Sequence, residues 1–377
     1  MAFVTPGAYA VPSPRGGSVE RVVEKVVPLL APAIEARIYG RVRRGLPARE
    51  RWRGAECVRY PASDKAAYAA RVFRSLASYR PDLIQVENRP LFVRELRKRF
   101  PDKPIWLSLQ STTFISRPYL GPKTTRACLR LADRILVNSR YLASQVRARA
   151  PETADKISVV HLGVEPERFG LWNPEEERAR RGWADRRIVL YVGRLIPLKG
   201  VHHLLAAMPE LVRAVPNVLV VIVGGAFYGS SRRTAYVERL HKLAKPWKRH
   251  VHFQSYVSHT DIPRWFGLAH AVAVPSGERE AFGLVNVEAM ASGLPVVAAR
   301  SGGISEIVED GVTGFLVDRQ CLRSGLASRL SLLLQNESLR EEMGRRGRER
   351  ALSLFTWEHT AGRWLDEAKR AGILNGD

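Results

Sequence analysis

Two carboxylates, Glu280 and Glu288, stand eight positions apart around Phe282-Gly283. The apolar run Ala271-Val-Ala-Val274 before them reads as a buried parallel strand. The segment from Val287 to Ser292, stopped by Gly293-Leu-Pro295, reads as a helix. Glu280 then falls in the loop at the carboxyl end of a strand, and Glu288 about two turns along the following helix. In open α/β sheets that edge is where ligands bind. Backbone N–H groups of Phe282, Gly283, Leu284 and Val285, at a helix N-terminus, suit a phosphate or sugar hydroxyls. Two carboxylates there can accept hydrogen bonds from a polyol such as a sugar or a ribose. The plainer alternative is that Glu280 only favours the helix N-terminus electrostatically and Glu288 lies on a solvated face.

Two further loops suit phosphates. Gly193-Arg194 and Lys199-Gly200 follow the apolar run ending at Val192 and open a helix. A guanidinium and an ammonium five positions apart across a turn can converge on one diphosphate; the alternative is an exposed basic loop. Near the N-terminus, Gly16 and Gly17 follow the opening strand and enter a helix, where they let the backbone approach an anion. The G-x-G-x-x-G spacing of a dinucleotide site is absent.

These loops need a scaffold, and strands and helices alternate along the chain. Candidate strands in the first half are Phe3–Thr5, Glu35–Tyr39, Asp82–Val86, Ile105–Leu109 and Arg134–Asn138. Those in the second half are Ile188–Val192, Val218–Val223, His250–Phe253, Ala271–Val274, Val296–Ala298 and Gly314–Val317. Helical segments fill the gaps, among them Ser18–Leu30, Asp64–Tyr79 and His202–Ala214. The near-continuous apolar strands argue for two doubly wound parallel sheets. The Pro- and Glu/Arg-rich stretch from Glu165 to Gly182 reads as the connection between them.

Composition narrows the class. A chain of 377 residues suits two domains, and no stretch has the apolar length of a membrane span. No secretory signal is visible at the N-terminus. Cys57, Cys128 and Cys321 have no paired spacing, which argues against disulfides and metal sites and for a reducing cytosol. The net charge of +23 is uneven. Residues 1–168 carry 31 Lys and Arg against 15 Asp and Glu, and residues 169–377 carry 29 against 22. A basic first half suggests an anionic partner, although only eleven of the 60 basic residues are Lys, an Arg bias that genome composition can also produce. The densest basic stretch, Arg37 to Arg59, reads as a solvated flexible loop, with anion contact as the alternative.

Together these constellations resemble the retaining glycosyltransferases of family 4. The residues that carry it are Gly193-Arg194…Lys199-Gly200, the Glu280…Glu288 pair, Gly293-Leu-Pro-Val-Val297 and Gly302-Gly303-Ile-Ser-Glu306…Gly311-Val-Thr-Gly-Phe315. A looser similarity, through Val11-Pro-Ser-Pro-Arg-Gly16-Gly17 and Val86-Glu-Asn-Arg-Pro90, is to the spore-coat-associated branch. The resemblance implies an α/β GT-B fold, two Rossmann-like domains facing across a cleft. Residues 1–165 would form the acceptor-side domain, with the segment 356–377 crossing back onto it, and residues 166–355 the donor domain. It further implies that Arg194 and Lys199 hold the diphosphate of a nucleotide sugar and that Glu288 accepts from the ribose. Glu280 would contact the transferred sugar, helped by backbone N–H groups of Ala281 to Leu284. Gly16 and Gly17 would approach the phosphates from the first domain. The base would lie beside Val223-Gly-Gly225 and Phe253–Val257. Paired cations take the place of a metal, so no cofactor is expected. Where the family commonly has a His after the strand corresponding to Ile105–Leu109, this chain has Gln110, which can contact a sugar hydroxyl but cannot titrate.

The reading is therefore a cytoplasmic enzyme that moves a sugar to an unidentified acceptor, anionic or lipid-linked, with peripheral contact to a membrane or spore coat. Envelope polysaccharide synthesis is a matching role. The competing reading is a noncatalytic coat or scaffold protein on the same fold. Nucleic-acid binding would explain the charge, but no recognised module or aromatic–basic interleaving is present.

Overall fold

The computed structural model describes residues 1–12, 17–170, 173–227 and 232–374. The chain divides into two compact units: residues 1–162 with 357–377, and residues 163–356.

Unit 1 holds eight strands: β1 (Ala2–Val4), β2 (Arg37–Arg41), β3 (Arg49–Trp52), β4 (Ala55–Tyr60), β5 (Ile84–Glu87), β6 (Ile105–Leu109), β7 (Arg134–Val137) and β8 (Ile157–Val159). Their order is β3-β4-β2-β1-β5-β6-β7-β8. The pairings are parallel except for the β3–β4 hairpin. Every residue of β5 and β6 is buried, which explains apolar runs without alternation: both faces of the sheet are covered. Caps set several helix starts. Asp64 accepts from the Ala66 N–H and Ser139 from the Leu142 N–H, offsetting N–H groups a helix cannot satisfy itself. The helix Trp357–Arg370 packs against the helix Ser18–Leu30. Its Trp364 ring lies 5.8 Å from Phe3 and 5.5 Å from Trp106.

The basic stretch Arg37–Arg59 is corrected by the structure. It is no flexible loop but the whole of β2 followed by the β3–β4 hairpin. Arg59 is buried and donates to the carbonyls of Val11 at 3.0 Å and Pro47 at 2.7 Å, and pairs with Glu50. Glu56 pairs with Arg37 and Arg49. Residues whose charge made the stretch look solvated hold the hairpin to the sheet, while Arg43, Arg44, Arg51 and Arg53 stay exposed. The short β8 was also not foreseen.

Unit 2 holds β9 (Arg187–Val192), β10 (Val218–Val223), β11 (Val251–Gln254), β12 (Ala271–Val274), β13 (Val296–Ala299) and β14 (Gly314–Val317). All run parallel in the order β11-β10-β9-β12-β13-β14. The chain begins in the middle, steps outward through β10 and β11, then returns to the other side of β9. The order thus reverses between β9 and β12, the kind of place where ligands bind in open α/β sheets. Val189, Val220, Ile222 and Ala273 of the sheet pack with Leu204, Leu211 and Leu330 of the helices in one core. The expected helix over residues 202–214 is two, Val201–Ala206 and Met208–Ala214, with Pro209 in the first turn of the second, where a missing N–H costs nothing.

Candidate active site

The cations come from the end of β9. Gly193 donates to Val223 O at 3.0 Å and Leu195 to Gly225 O at 2.9 Å, so the turn runs along the end of β10. Tyr191 supports it, its hydroxyl donating to Arg194 O at 3.0 Å. Lys199 closes a short 3-10 turn, Pro197–Lys199. Gly200 follows at φ +71°, where a Cβ would sit 1.9 Å from Pro275 O. Only glycine permits that contact between the two loops. A second tie is the Gly277 N–H donating to Leu198 O at 2.7 Å.

The carboxylates come from the end of β12. Phe282 is buried and meets Phe355 edge-on at 6.0 Å, anchoring the loop from below. The Gly303 N–H donates to Glu280 O at 3.0 Å. A Cβ on Gly303 would lie 2.2 Å from Ala281 O, so the loop lies directly on it. The helix that follows spans Leu284–Ala291 with Gly283 as its N-cap. It begins three residues before the expected start, because Asn286 N–H and side-chain amide both donate to Gly283 O and close the first turn. Glu288 is buried within it, which removes the solvated-face alternative for that residue.

The two loops meet in an ion pair between Lys199 Nζ and Glu280 Oε2. The side chains keep 25% and 16% of their surface. Burial works to raise the Glu280 pKa. The adjoining Lys199 ammonium and its hydrogen bond, a hydrogen bond from Ser276, and the field of Arg194 outweigh it, and the carboxyl is held below the usual carboxylate range. The site therefore presents an ionised acid flanked by two cations.

Within unit 2 the structure brings Lys199 against Glu280, with Arg194 close enough for its charge to act on that carboxyl; Gly193 lies in the turn after β9, Ala281 to Gly283 in the loop after β12, and Leu284, Val285 and Glu288 in the helix that follows. The strand ends at Val223 and Gln254, expected beside a nucleotide base, are neighbours in the ladder. Gly17 and Gln110 belong to unit 1. Gly17 is the N-cap of Ser18–Leu30, and Gly16 lies outside the described residues. Gln110 follows β6, its backbone N–H donating to Asn88 Oδ1 at 2.8 Å.

Comparison with known proteins gives the same assignment in both halves. Residues 16–168 match the family described as Glycosyltransferase Family 4, and residues 173–350 match Glycosyl transferases group 1. Spore coat protein SA of Bacillus subtilis is 32% identical over 368 residues, spanning 96% of this chain and 97% of that protein. The chain belongs to the family-4 glycosyltransferases. The protein YtcC of the same organism is 30% identical over 96% of this chain and 90% of its own length. A D-inositol 3-phosphate glycosyltransferase of Nocardioides is 36% identical over 64% of this chain and 54% of its own. Among solved structures, sucrose-phosphate synthase from Thermosynechococcus elongatus superposes with a TM-score of 0.82 at 23% identity, covering 99% of both chains. Anabaena Alr3699/HepE in complex with UDP-glucose gives 0.78 at 20% identity, covering 98% of this chain and 99% of that one. Those two likenesses establish the GT-B fold. The noncatalytic scaffold reading is not the one these relatives favour.

One polar residue of this glycosyltransferase, Glu87, entered the sequence reading only as part of Val86-Glu-Asn-Arg-Pro90 and was given no role of its own. Glu87 ends β5, fully buried, next to the strand where the unit 1 order reverses. Its signal was a carboxylate closing an otherwise strand-like run, Ile84-Gln-Val-Glu87.

Proposed function

We propose that the enzyme transfers a sugar from a nucleoside diphosphate sugar with retention of anomeric configuration, and that the donor is held at the β9/β12 reversal. The observation that carries this is the ion pair of Lys199, from the loop after β9, with Glu280, from the loop after β12, where the field of Arg194 also acts on that carboxylate; Glu288 follows on the helix Leu284–Ala291. Breaking the bond from sugar to phosphate leaves negative charge on the diphosphate, and two fixed cations offset it as it grows. Lys199 has three N–H donors; one on Glu280 leaves two for phosphate oxygens. Glu280 retains acceptor capacity for a sugar hydroxyl, and Glu288 for the ribose. In same-face attack the acceptor oxygen bonds to the anomeric carbon as the phosphate oxygen leaves, and that oxygen takes the acceptor's proton. An acid already bonded to Lys199 and Ser276 is a poor nucleophile, which favours this route over a covalent sugar on Glu280. The paired cations supply the charge a divalent metal would, so transfer should survive EDTA.

UDP is the natural probe, because Alr3699/HepE was solved with UDP and UDP-glucose. Calorimetry should show saturable binding to the intact chain. Each charge-assisted bond is worth about 1.5–3 kcal/mol, so the Arg194→Ala/Lys199→Ala variant should bind at least about a hundredfold more weakly. Equal binding by the two proteins would overturn the assignment.

A further inference from the structure

The end of β5 buries an acid beside Gln110 through a directed chain of hydrogen bonds. The Trp364 indole N–H donates to Gln85 Oε1 at 2.7 Å. An indole can only donate, so Gln85 turns its amide nitrogen to Glu87, reaching Oε1 at 2.6 Å. On the neighbouring strand, Ser108 Oγ accepts from Gln110 Nε2 at 3.1 Å. Ser108 stands directly across the β5–β6 ladder from Glu87 and acts on its carboxyl, so the remaining Ser108 hydrogen has that acid to turn to. Gln110 Oε1 in turn accepts from Asn138 Nδ2 at 3.2 Å. Asn138, whose Nδ2 also donates to Gln110 O at 3.2 Å, marks the oxygen end of the Gln110 amide, and Ser108 receives the nitrogen end as long as its own hydrogen turns to Glu87.

We propose that Glu87 is a positioning residue: acting through Ser108, it sets the orientation in which Gln110 offers its remaining donor and acceptor to a substrate hydroxyl. This rests on the reading of Gln110 as a sugar contact. Glu87 Oε2 has no hydrogen-bond partner among the described residues and faces a cavity of about 30 Å³, enough for a water molecule. Glu87 is the one titratable side chain among the residues lining that cavity. The C-terminal helix brings Thr360 and Trp364 to it, and β6 brings Ser108. Glu20, on the helix Ser18–Leu30, adds a like charge nearby. Arg89 stacks on Phe114, 3.9 Å from its ring, and its charge acts on Glu20. Burial pushes the Glu87 pKa up to about 7, against the hydrogen bonds of Gln85 and Ser108 and with the field of Glu20. Neutral and ionised Glu87 make different demands on the Ser108 hydrogen, so the Gln110 amide should sense the change.

The test follows the side-chain amide resonances of Gln110 by NMR across pH in the full-length chain, assigned by their loss in Gln110→Ala. They should titrate with a midpoint near the Glu87 value of about 7. Glu87→Gln places an oxygen at Oε1 and an NH₂ at Oε2, mimicking the neutral acid. It should hold the low-pH resonance positions throughout. Glu87→Ala should shift them at every pH. Amide resonances that do not move with pH, or that are unchanged in Glu87→Ala, would overturn the proposal. UDP calorimetry on the same samples separates the two readings. Normal UDP binding with an unmoved amide sinks the Glu87 role alone. Absent UDP binding sinks the donor site and leaves the amide result standing.

Discussion

Lys199 and Glu280 tie two loops together across 81 positions of the chain. Removing one member of a mostly buried ion pair leaves the other charge unpaired, at a cost of about 3 kcal/mol. Lys199→Ala should therefore lower the thermal midpoint clearly, and Lys199→Ala/Glu280→Gln should recover most of the loss while remaining inactive. Failure to recover would mean that Lys199 matters through packing instead. Because the Glu280 pKa is lowered in the folded state, its contribution is present above its ordinary value and fades as pH falls through the folded one. Glu87 has the opposite sign. Below its ordinary value of 4.5 it is neutral whether folded or not. Between there and about 7 the unfolded chain gives up the proton while the folded chain keeps it, so stability declines as pH rises. The span corresponds to on the order of 3 kcal/mol. Glu87→Gln should flatten the thermal midpoint across that window; an unchanged slope would show that Glu87 does not titrate there.

At the scale of elements, the site depends on two loops pressed against glycine. Gly303 supports the backbone at Ala281, with a Cβ position only 2.2 Å from Ala281 O. Gly303→Ala must push away the loop that carries Glu280 and the start of Leu284–Ala291. Strain of this kind costs roughly 1–3 kcal/mol, a modest loss of stability. The loss in UDP affinity measured by calorimetry should be the larger effect, since Glu280 and Lys199 move apart. A variant that melts early but binds UDP normally would show that the loop tolerates displacement. The β3–β4 hairpin carries a related lesson. Arg59, Arg37 and Arg49 were counted as solvated charge, yet each is tied to an acid of the same hairpin or to backbone carbonyls. The one-dimensional pattern could not show this, because Arg at alternate strand positions looks the same whether or not an acid lies across the ladder.

For the whole molecule, the net charge of +23 remains the leading physical property. After the internal pairs are set aside, Arg43, Arg44, Arg51 and Arg53 are still exposed in unit 1. No described helix is long and apolar enough to cross a membrane. A charge of this sign is attracted to any anionic surface, and such attraction is screened within about 10 Å at 0.1 M salt. The enzyme should therefore sediment with phosphatidylglycerol vesicles at low ionic strength and be released by moderate salt. If it stays in solution at low salt, the excess charge does not act on membranes.

The sequence by itself determined the alternation of strands and helices, the family, and the positions of Arg194, Lys199, Glu280 and Glu288. Apolar runs, glycine turns and fixed spacings are local, and local patterns are readable along a chain. Tertiary structure decided which of these residues touch. The Lys199–Glu280 pair spans 81 positions and exists because β12 returns beside β9. The Trp364–Gln85–Glu87 bonds, with the Ser108–Gln110 bond across the ladder, join β5, the end of β6 and the C-terminal helix, 279 positions apart at the widest link. Burial of Glu87 and Glu288, and with it the shifted titration of Glu87, belongs to that assembly. Solvent exclusion is a property of packed neighbours, which no stretch of sequence contains.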